Sequence, residues 1–324
     1  MEYVFAGLNR LIVLFVGIQF HFTSFCVILI HLFEIKQLCT MISKINEGND
    51  TKRIHSKGLT LDLTIPLVMG VVNCNQDSFF AGSRVSSMES VRVKLDQLVS
   101  EGADIIDIGG RSSRPGSEDI SVEEEMDRVG DAISYMKRAY PDVWTSIDTT
   151  QSSVAAFAVN AGVRIVNDIS SGDMDPLMLP TVAKLGVPYI CMHMKGTPAT
   201  MQENPVYGDV VVEVSTYLRE KITACKQLGI KEVIADPGFG FGKTIEHNYV
   251  LLKNLSSVVS AEIPLLVGFS RKSMIYKLLG ITADEALNGT TALNMAALVK
   301  GACILRVHDV KEARQVIRLF NEIQ

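Results

Sequence analysis

Between Leu67 and Val307 the chain repeats one pattern eight times, a short apolar run followed by an amphipathic stretch long enough for a helix. The runs cover residues 67–72, 104–108, 144–147, 165–167, 188–192, 233–235, 264–267 and 304–307. A helix between two strands returns the chain to the same end of the sheet, so successive strands become parallel neighbours. Eight such units predict a closed (β/α)8 TIM barrel, which needs roughly 250 residues and fits within the 324 available. An open doubly wound sheet would place a glycine-rich nucleotide turn after the first strand, and the chain there reads Asn73-Cys74-Asn75. Ser86-x-x-Glu89 and Ser121-x-x-Glu124 have capping-box spacing and predict two helix starts.

The first 55 residues do not share this pattern and predict a hydrophobic extension ahead of a barrel domain over 56–324. Residues 11–33 hold no Asp, Glu, Lys or Arg and are long enough for one membrane-spanning helix. If that helix spans, Lys36, Lys44, Lys52 and Arg53 outnumber Arg10, which leaves the downstream chain in the cytoplasm. The competing reading starts the protein at Met41, which opens a polar run before the first strand; an intact mass distinguishes the two. The apolar core is too long for a secretory signal and no small-residue cleavage site follows it. Six scattered cysteines without a C-x-x-C pair favour a reducing compartment and no structural zinc. A formal net charge of −5 gives no general attraction to nucleic acid or anionic lipid, so any anion site must be local.

Polar groups at the carboxyl ends of barrel strands face the active-site mouth. Here they are Asn73, Asp107, Asp148, Asn167 with Asp168, His193, Asp236, Ser270-Arg271-Lys272, and Arg306 with His308. Asp148, Asn167, Asp236 and Lys272 suit a flat, nitrogen-rich heterocycle with alternating donors and acceptors. Arg114, Arg271, Arg306, His308 and Asn73 are groups that hold phosphate oxygens or another anion. The expected ligands are a planar heterocycle and an anion. Gly238-Phe239-Gly240-Phe241-Gly242-Lys243-Thr244 imitates a phosphate loop, but Pro237 stands where the first glycine is required. His193, between two methionines at the end of an apolar strand, is assigned no catalytic role.

Together these motifs closely resemble the dihydropteroate synthase family. The match runs from about Gly58 to the carboxyl terminus through Asn73 with Asp77-Ser78-Phe79, Asp107-Ile108-Gly109-Gly110, Ser113-Arg114-Pro115-Gly116, Ser146-Ile147-Asp148, Asn167-Asp168, the Asp236 to Lys243 segment, Ser270-Arg271-Lys272 and Arg306-Val307-His308. The resemblance implies a barrel transferase of folate synthesis that joins 6-hydroxymethyl-7,8-dihydropterin diphosphate to 4-aminobenzoate. It implies that Asp148, Asn167, Asp236 and Lys272 hold the pterin, and that Arg306, His308 and Arg114 handle the diphosphate. Asn73 would help coordinate Mg2+. Ser113 takes the place of a family threonine, and Ser270 with Arg271 lies where the aminobenzoate is expected. Asp107 or Asp148 would favour the pterin cation left when diphosphate departs, so Asp107, Asp148, Lys272 and Arg306 form the expected catalytic set. A homodimer and sensitivity to sulfonamides are further implications.

The departures fall in the first two loops. The family's N-V-T-P-D-S-F-S-D-G-G becomes Asn73 to Ser83 with Asn75, Gln76 and Ala81, and its G-G-E-S-T-R-P-G becomes Gly109 to Gly116 with Arg111. The exchanges at 81 and 111 make the rim three charges more positive, which bears on diphosphate binding and release. Two alternatives stand beside the synthase reading: a pterin-dependent methyltransferase, which has no use for the Ser270-Arg271-Lys272 and Arg306-Val307-His308 anion set, and a non-catalytic pterin-binding paralogue with altered loops.

Overall fold

The structure, a computed structural model, describes residues 53–74, 84–111 and 120–323, the side chains of 84–87 excepted. The 11–33 segment and Met41 therefore lie outside the described residues, as do Ser113 and Arg114. Among the described residues no helix is long and apolar enough to cross a membrane.

An antiparallel hairpin, β1 (Arg53–Ser56) and β2 (Leu59–Asp62), comes first. The βα alternation does not predict it, although Lys57-Gly58 is a local cue. Both turn residues have positive φ, 49° and 80°, the geometry of a two-residue type I′ turn whose twist matches that of the strands. The barrel strands follow: β3 (Leu67–Asn73), β4 (Ile105–Gly109), β5 (Trp144–Asp148), β6 (Ile165–Asp168), β7 (Tyr189–Met192), β8 (Val233–Asp236), β9 (Leu266–Val267) and β10 (Ile304–Val307). They pair in parallel in the order β8-β7-β6-β5-β4-β3-β10-β9. Closure between β8 and β9 rests on one bridge, Ala235 with Leu265, and on the Ala235 N–H donating to the Pro264 carbonyl at 2.9 Å. Pro264 has no N–H to return a bond, which limits the ladder at this seam. The observed β9 is accordingly shorter than the 264–267 run.

The helices between strands are α1 (Arg84–Ser100), α2 (Val122–Ala139), α3 (Ser152–Ala161), α4 (Met178–Leu185), α5 (Val210–Gln227), α6 (Ile245–Lys253), α7 (Ser273–Leu279), α8 (Leu287–Val299) and α9 (Val310–Glu322). Ser121 caps α2 by accepting from the Glu124 N–H at 3.1 Å, but the Glu124 carboxylate turns to Arg128 at 2.7 Å. The expected box is half formed. The helix begins at Arg84, so the start expected at Ser86 falls inside α1. A complete box forms instead at Thr244 and His247 ahead of α6.

Two apolar clusters hold the domain. The larger lies between the sheet and its helices. The smaller fills the barrel interior with one or more residues from every strand: Leu67, Met69, Ile105, Trp144, Ile165, Ile190, Ile234, Leu266 and Ile304. Ile54 and Leu63, from the hairpin and the residue after it, join this interior cluster at 1% and 6% exposure and close its amino-terminal end. Each such burial contributes about 1.5–3 kcal/mol. The hairpin is a plug, and it leaves the opposite end of the barrel as the mouth.

Candidate active site

Side chains alternate across a strand, so a residue two positions beyond an inward-facing one also faces inward. Two residues past the interior apolar layer stand Asp107 after Ile105, Ser146 after Trp144, Asn167 after Ile165, Asp236 after Ile234 and Arg306 after Ile304. One further step places Asp148 and Asn73 at the strand ends. The site is thus a polar layer laid directly on the apolar floor of the barrel.

Arg306 organises it. Its Nε donates to Asp107 Oδ2 at 2.7 Å and its Nη2 to Asp148 Oδ2 at 2.6 Å. Asp107 Oδ2 also accepts from Asn167 Nδ2 at 2.9 Å, and Asp107 is fully buried. Burial draws the Arg306 guanidinium down, but Asp107 and Asp148 outweigh it and hold its pKa above the ordinary value. Burial pushes Asp148 up to about 7 against the opposing pull of Arg306, with Asp107 adding to the rise. Asp107 Oδ1 and Ser146 Oγ, on register-paired residues of β4 and β5, are buried without a hydrogen-bond partner among the described residues. Asn73 lies alongside: a methyl at Gly109 would meet Asn73 Oδ1 and Asp148 Cβ, each at 3.6 Å.

Asp236 ends β8, and its Oδ1 accepts from the Gly238 N–H at 2.7 Å; burial raises its pKa, opposed first by Lys272. Lys272 Nζ donates to the Phe239 carbonyl at 2.6 Å and stands 4.7 Å from the Phe241 ring centroid. Burial lowers its pKa to about 8, against the pull of Asp236. With every group ionised, the three carboxylates exceed Arg306 and Lys272 by one negative charge, a balance suited to a cationic ligand.

The segment from Asp236 to Lys243 is no phosphate loop. Gly238 and Gly242 have φ of 68° and 63°, and a methyl on either would collide with the carbonyl oxygen of His193 or Lys195. Glycine is therefore required for close approach to the end of β7. Lys243 turns inward: its Nζ lies 2.9 Å from His193 Nδ1 and donates to the carbonyls of Gly238 at 2.8 Å and Phe241 at 3.1 Å. His193 is buried, and its pKa is pushed down to about 3 by burial and then by Lys243, so it serves the scaffold. Asp168 does likewise, accepting from the Ser170 and Gly172 N–H groups and the Tyr189 hydroxyl. The sequence signal for this inward packing is the close spacing of Gly238, Gly240 and Gly242 around Phe239 and Phe241.

The rim is partly self-occupied. Arg271, at φ 55°, makes a two-point pair with Asp309, Nε at 3.0 Å and Nη2 at 2.9 Å. Its Nη1 donates to the Asp284 carbonyl at 2.7 Å. The guanidinium expected near the aminobenzoate thus stitches the β9–α7 loop to the β10–α9 loop. Ser270 Oγ adds a second stitch, accepting from the His308 N–H at 3.1 Å. His308 is exposed, and partial desolvation, followed by the Arg306 charge, lowers its pKa. Arg111 is paired with the fully buried Glu125 at 3.2 Å and donates to the Ile120 carbonyl at 2.7 Å. The charge gained at 111 is therefore balanced by Glu125, which reduces the positive rim expected from sequence.

Comparison with known proteins agrees with this geometry. The pterin-binding enzyme family model matches residues 69–308. Dihydropteroate synthase of Escherichia coli K12 is 42% identical over 269 residues, 82% of this chain and 95% of that protein. The Haemophilus influenzae enzyme is 38% identical, covering 83% of this chain and 98% of its own. The barrel superposes on Yersinia pestis dihydropteroate synthase in a sulfonamide drug complex with TM-score 0.78 at 39% identity, covering 84% and 98% of the two chains. Xanthomonas albilineans dihydropteroate synthase with 4-aminobenzoic acid gives TM-score 0.78 at 37% identity over the same shares. With the family model matched over residues 69–308 and nearly the full length of these enzymes covered, the chain belongs to the pterin-binding enzyme family, among the dihydropteroate synthases.

Proposed function

We propose that the polar layer joins 6-hydroxymethyl-7,8-dihydropterin diphosphate to 4-aminobenzoate, giving 7,8-dihydropteroate and diphosphate, as a transferase of folate biosynthesis. The observation that carries this reading is the convergence of Asp107, Asp148, Asn167 and Arg306 in one hydrogen-bonded group, with Asp236 closing β8 at the same end of the barrel. Asp148, Asp236 and Asn167 face the heterocycle's N–H groups, and Lys272 supplies a donor for its oxygen. The C–O bond to diphosphate breaks with its electron pair on the leaving group. The layer's carboxylates, in their ionised form, stabilise the cation so formed. The neutral arylamine then forms the C–N bond and releases a proton. No covalent enzyme nucleophile is needed, and positioning with electrostatics supplies the rate.

Mg2+ fits the donor set. Among the described residues no group of three or more His, Cys, Asp or Glu is arranged for a metal. Mg2+ commonly takes few protein oxygens and completes its shell with phosphate and water. Asn73 Oδ1 would hold it beside the diphosphate, whose charge it would disperse. Arg306, His308 and Arg114 would hold the diphosphate itself, while Ser270 and Ser113 would border the aminobenzoate, with Arg271 acting on that rim through Asp309. A homodimer is proposed on the carboxyl-terminal helices, where Leu278, Leu279 and Val299 are 58%, 55% and 63% exposed. A cytoplasmic place of action fits the free Cys74, Cys191, Cys225 and Cys303.

Formation of dihydropteroate from the two substrates with Mg2+, abolished by EDTA and inhibited by a sulfonamide in competition with 4-aminobenzoate, is the expected result. Tight pterin binding without product would refute the synthase reading and support the non-catalytic one.

A further inference from the structure

We propose that Asp107 is a positioning residue that selects which edge of Asn167 faces the ligand, and so adds an amide oxygen to the acceptors of Asp148 and Asp236 at the mouth. The inference rests on the pterin-binding reading above. Asp107 is fully buried, and one of its oxygens, Oδ2, takes both the Asn167 and the Arg306 hydrogen bonds. An ionised carboxylate accepts and never donates. The Asn167 atom 2.9 Å from it must therefore be the amide nitrogen, which settles an orientation that is otherwise two-fold ambiguous. Asn167 Oδ1 bonds nothing among the described residues and is not sealed from the mouth.

Asn167 pairs in register with Asp148 on β5, and Asp236 ends β8 at the same end of the barrel. The wall then offers a carboxylate, an amide oxygen and a second carboxylate. Such a wall takes a heterocycle through its N–H edge and repels one that turns a ring-nitrogen lone pair toward it. Released from Asp107, the Asn167 amide rotates freely, and half of its orientations place a donor where the ligand also donates. Asp107 thus acts through Asn167, and through the Arg306 guanidinium, without touching the ligand.

The test is a polarity exchange. In Asp107→Leu no acceptor remains at 107 and the lock is lost, and affinity for 6-hydroxymethyl-7,8-dihydropterin, read by calorimetry, should fall about tenfold or more. In the double variant Asp107→Asn with Asn167→Asp, residue 107 donates to the carboxylate at 167, whose second oxygen again faces the mouth as an acceptor. Its affinity should exceed that of the single variant by about threefold or more. Independently of any ligand, the Asn167 side-chain amide protons should exchange slowly with solvent in the parent protein, as read by NMR, and rapidly in Asp107→Leu. Unchanged affinity in the single variant, or a double variant that binds no better than it, overturns the proposal. So does fast exchange in the parent, a measurement that needs no folded variant. A parent that shows slow exchange yet binds no pterin would instead refute the functional reading and leave the Asp107–Asn167 lock standing.

Discussion

Replacing Arg306 with methionine removes one cation from between two carboxylates and keeps most of the side-chain volume. Asp107 is fully buried and the Asp148 side chain is 19% exposed, so neither recovers full hydration. Breaking a buried ion pair by deleting one partner costs about 3–5 kcal/mol; the partial exposure of Asp148 and of Arg306, 20%, places the expectation near the lower end. At about 2–4 °C per kcal/mol for a domain of this order, the melting temperature should fall by roughly 6–12 °C. The loss should also depend on pH. Burial already raises Asp148 from 3.8 to about 7 against the pull of Arg306, and removing that pull raises it further. A carboxyl with a raised folded pKa lowers stability progressively as pH climbs from its unfolded value to its folded one. In the parent that decline fades about one unit above pH 7, whereas in Arg306→Met it continues to higher pH. The deficit between the two proteins should therefore widen from pH 6 to pH 8.5 in urea titrations. A deficit below about 1 kcal/mol, or one that narrows as pH rises, would show that Arg306 does not compensate these carboxylates.

Pterin binding should weaken as pH rises through about 8, where Lys272 loses its proton, and Lys272→Arg should carry that alkaline limb upward; a limb that stays in place would exonerate Lys272. Gly242→Ala meets both a positive φ and the Lys195 carbonyl and should cost about 3 kcal/mol or more by chemical denaturation. Gly186→Ala is the control, because its φ is also positive but nothing lies within 4 Å, and its cost should stay near 1 kcal/mol. Arg271→Gln loses the two-point pair with Asp309 and should raise KM for 4-aminobenzoate more than KM for the pterin substrate in steady-state kinetics; equal rises would argue against its stitching of the two rim loops.

Much of the barrel is legible from periodicity because parallel strands buried on both faces must be apolar along their length. The runs at 67–72 and 304–307 need no tertiary information to be recognised. The β1–β2 hairpin is not visible that way: its burial pattern covers few residues, and Ile54 owes its place to the open barrel end above it. The candidate site is legible as a set of residue types, since Asp107, Asn167, Asp236 and Arg306 each follow an inward apolar residue by two. Their partners are not, because hydrogen bonds between residues 60 to 199 positions apart depend on how eight strands close.

By itself the sequence determined the eight-unit alternation, the polar residues at the strand ends and the absence of a phosphate loop, all of which follow from local spacing and side-chain chemistry. Only the tertiary structure decided that Arg306 is held between Asp107 and Asp148, that Arg271 serves Asp309, that Lys243 and His193 belong to the scaffold, and that Glu125 balances Arg111. Charges choose partners by distance and by how much water they lose, and both are properties of the closed barrel.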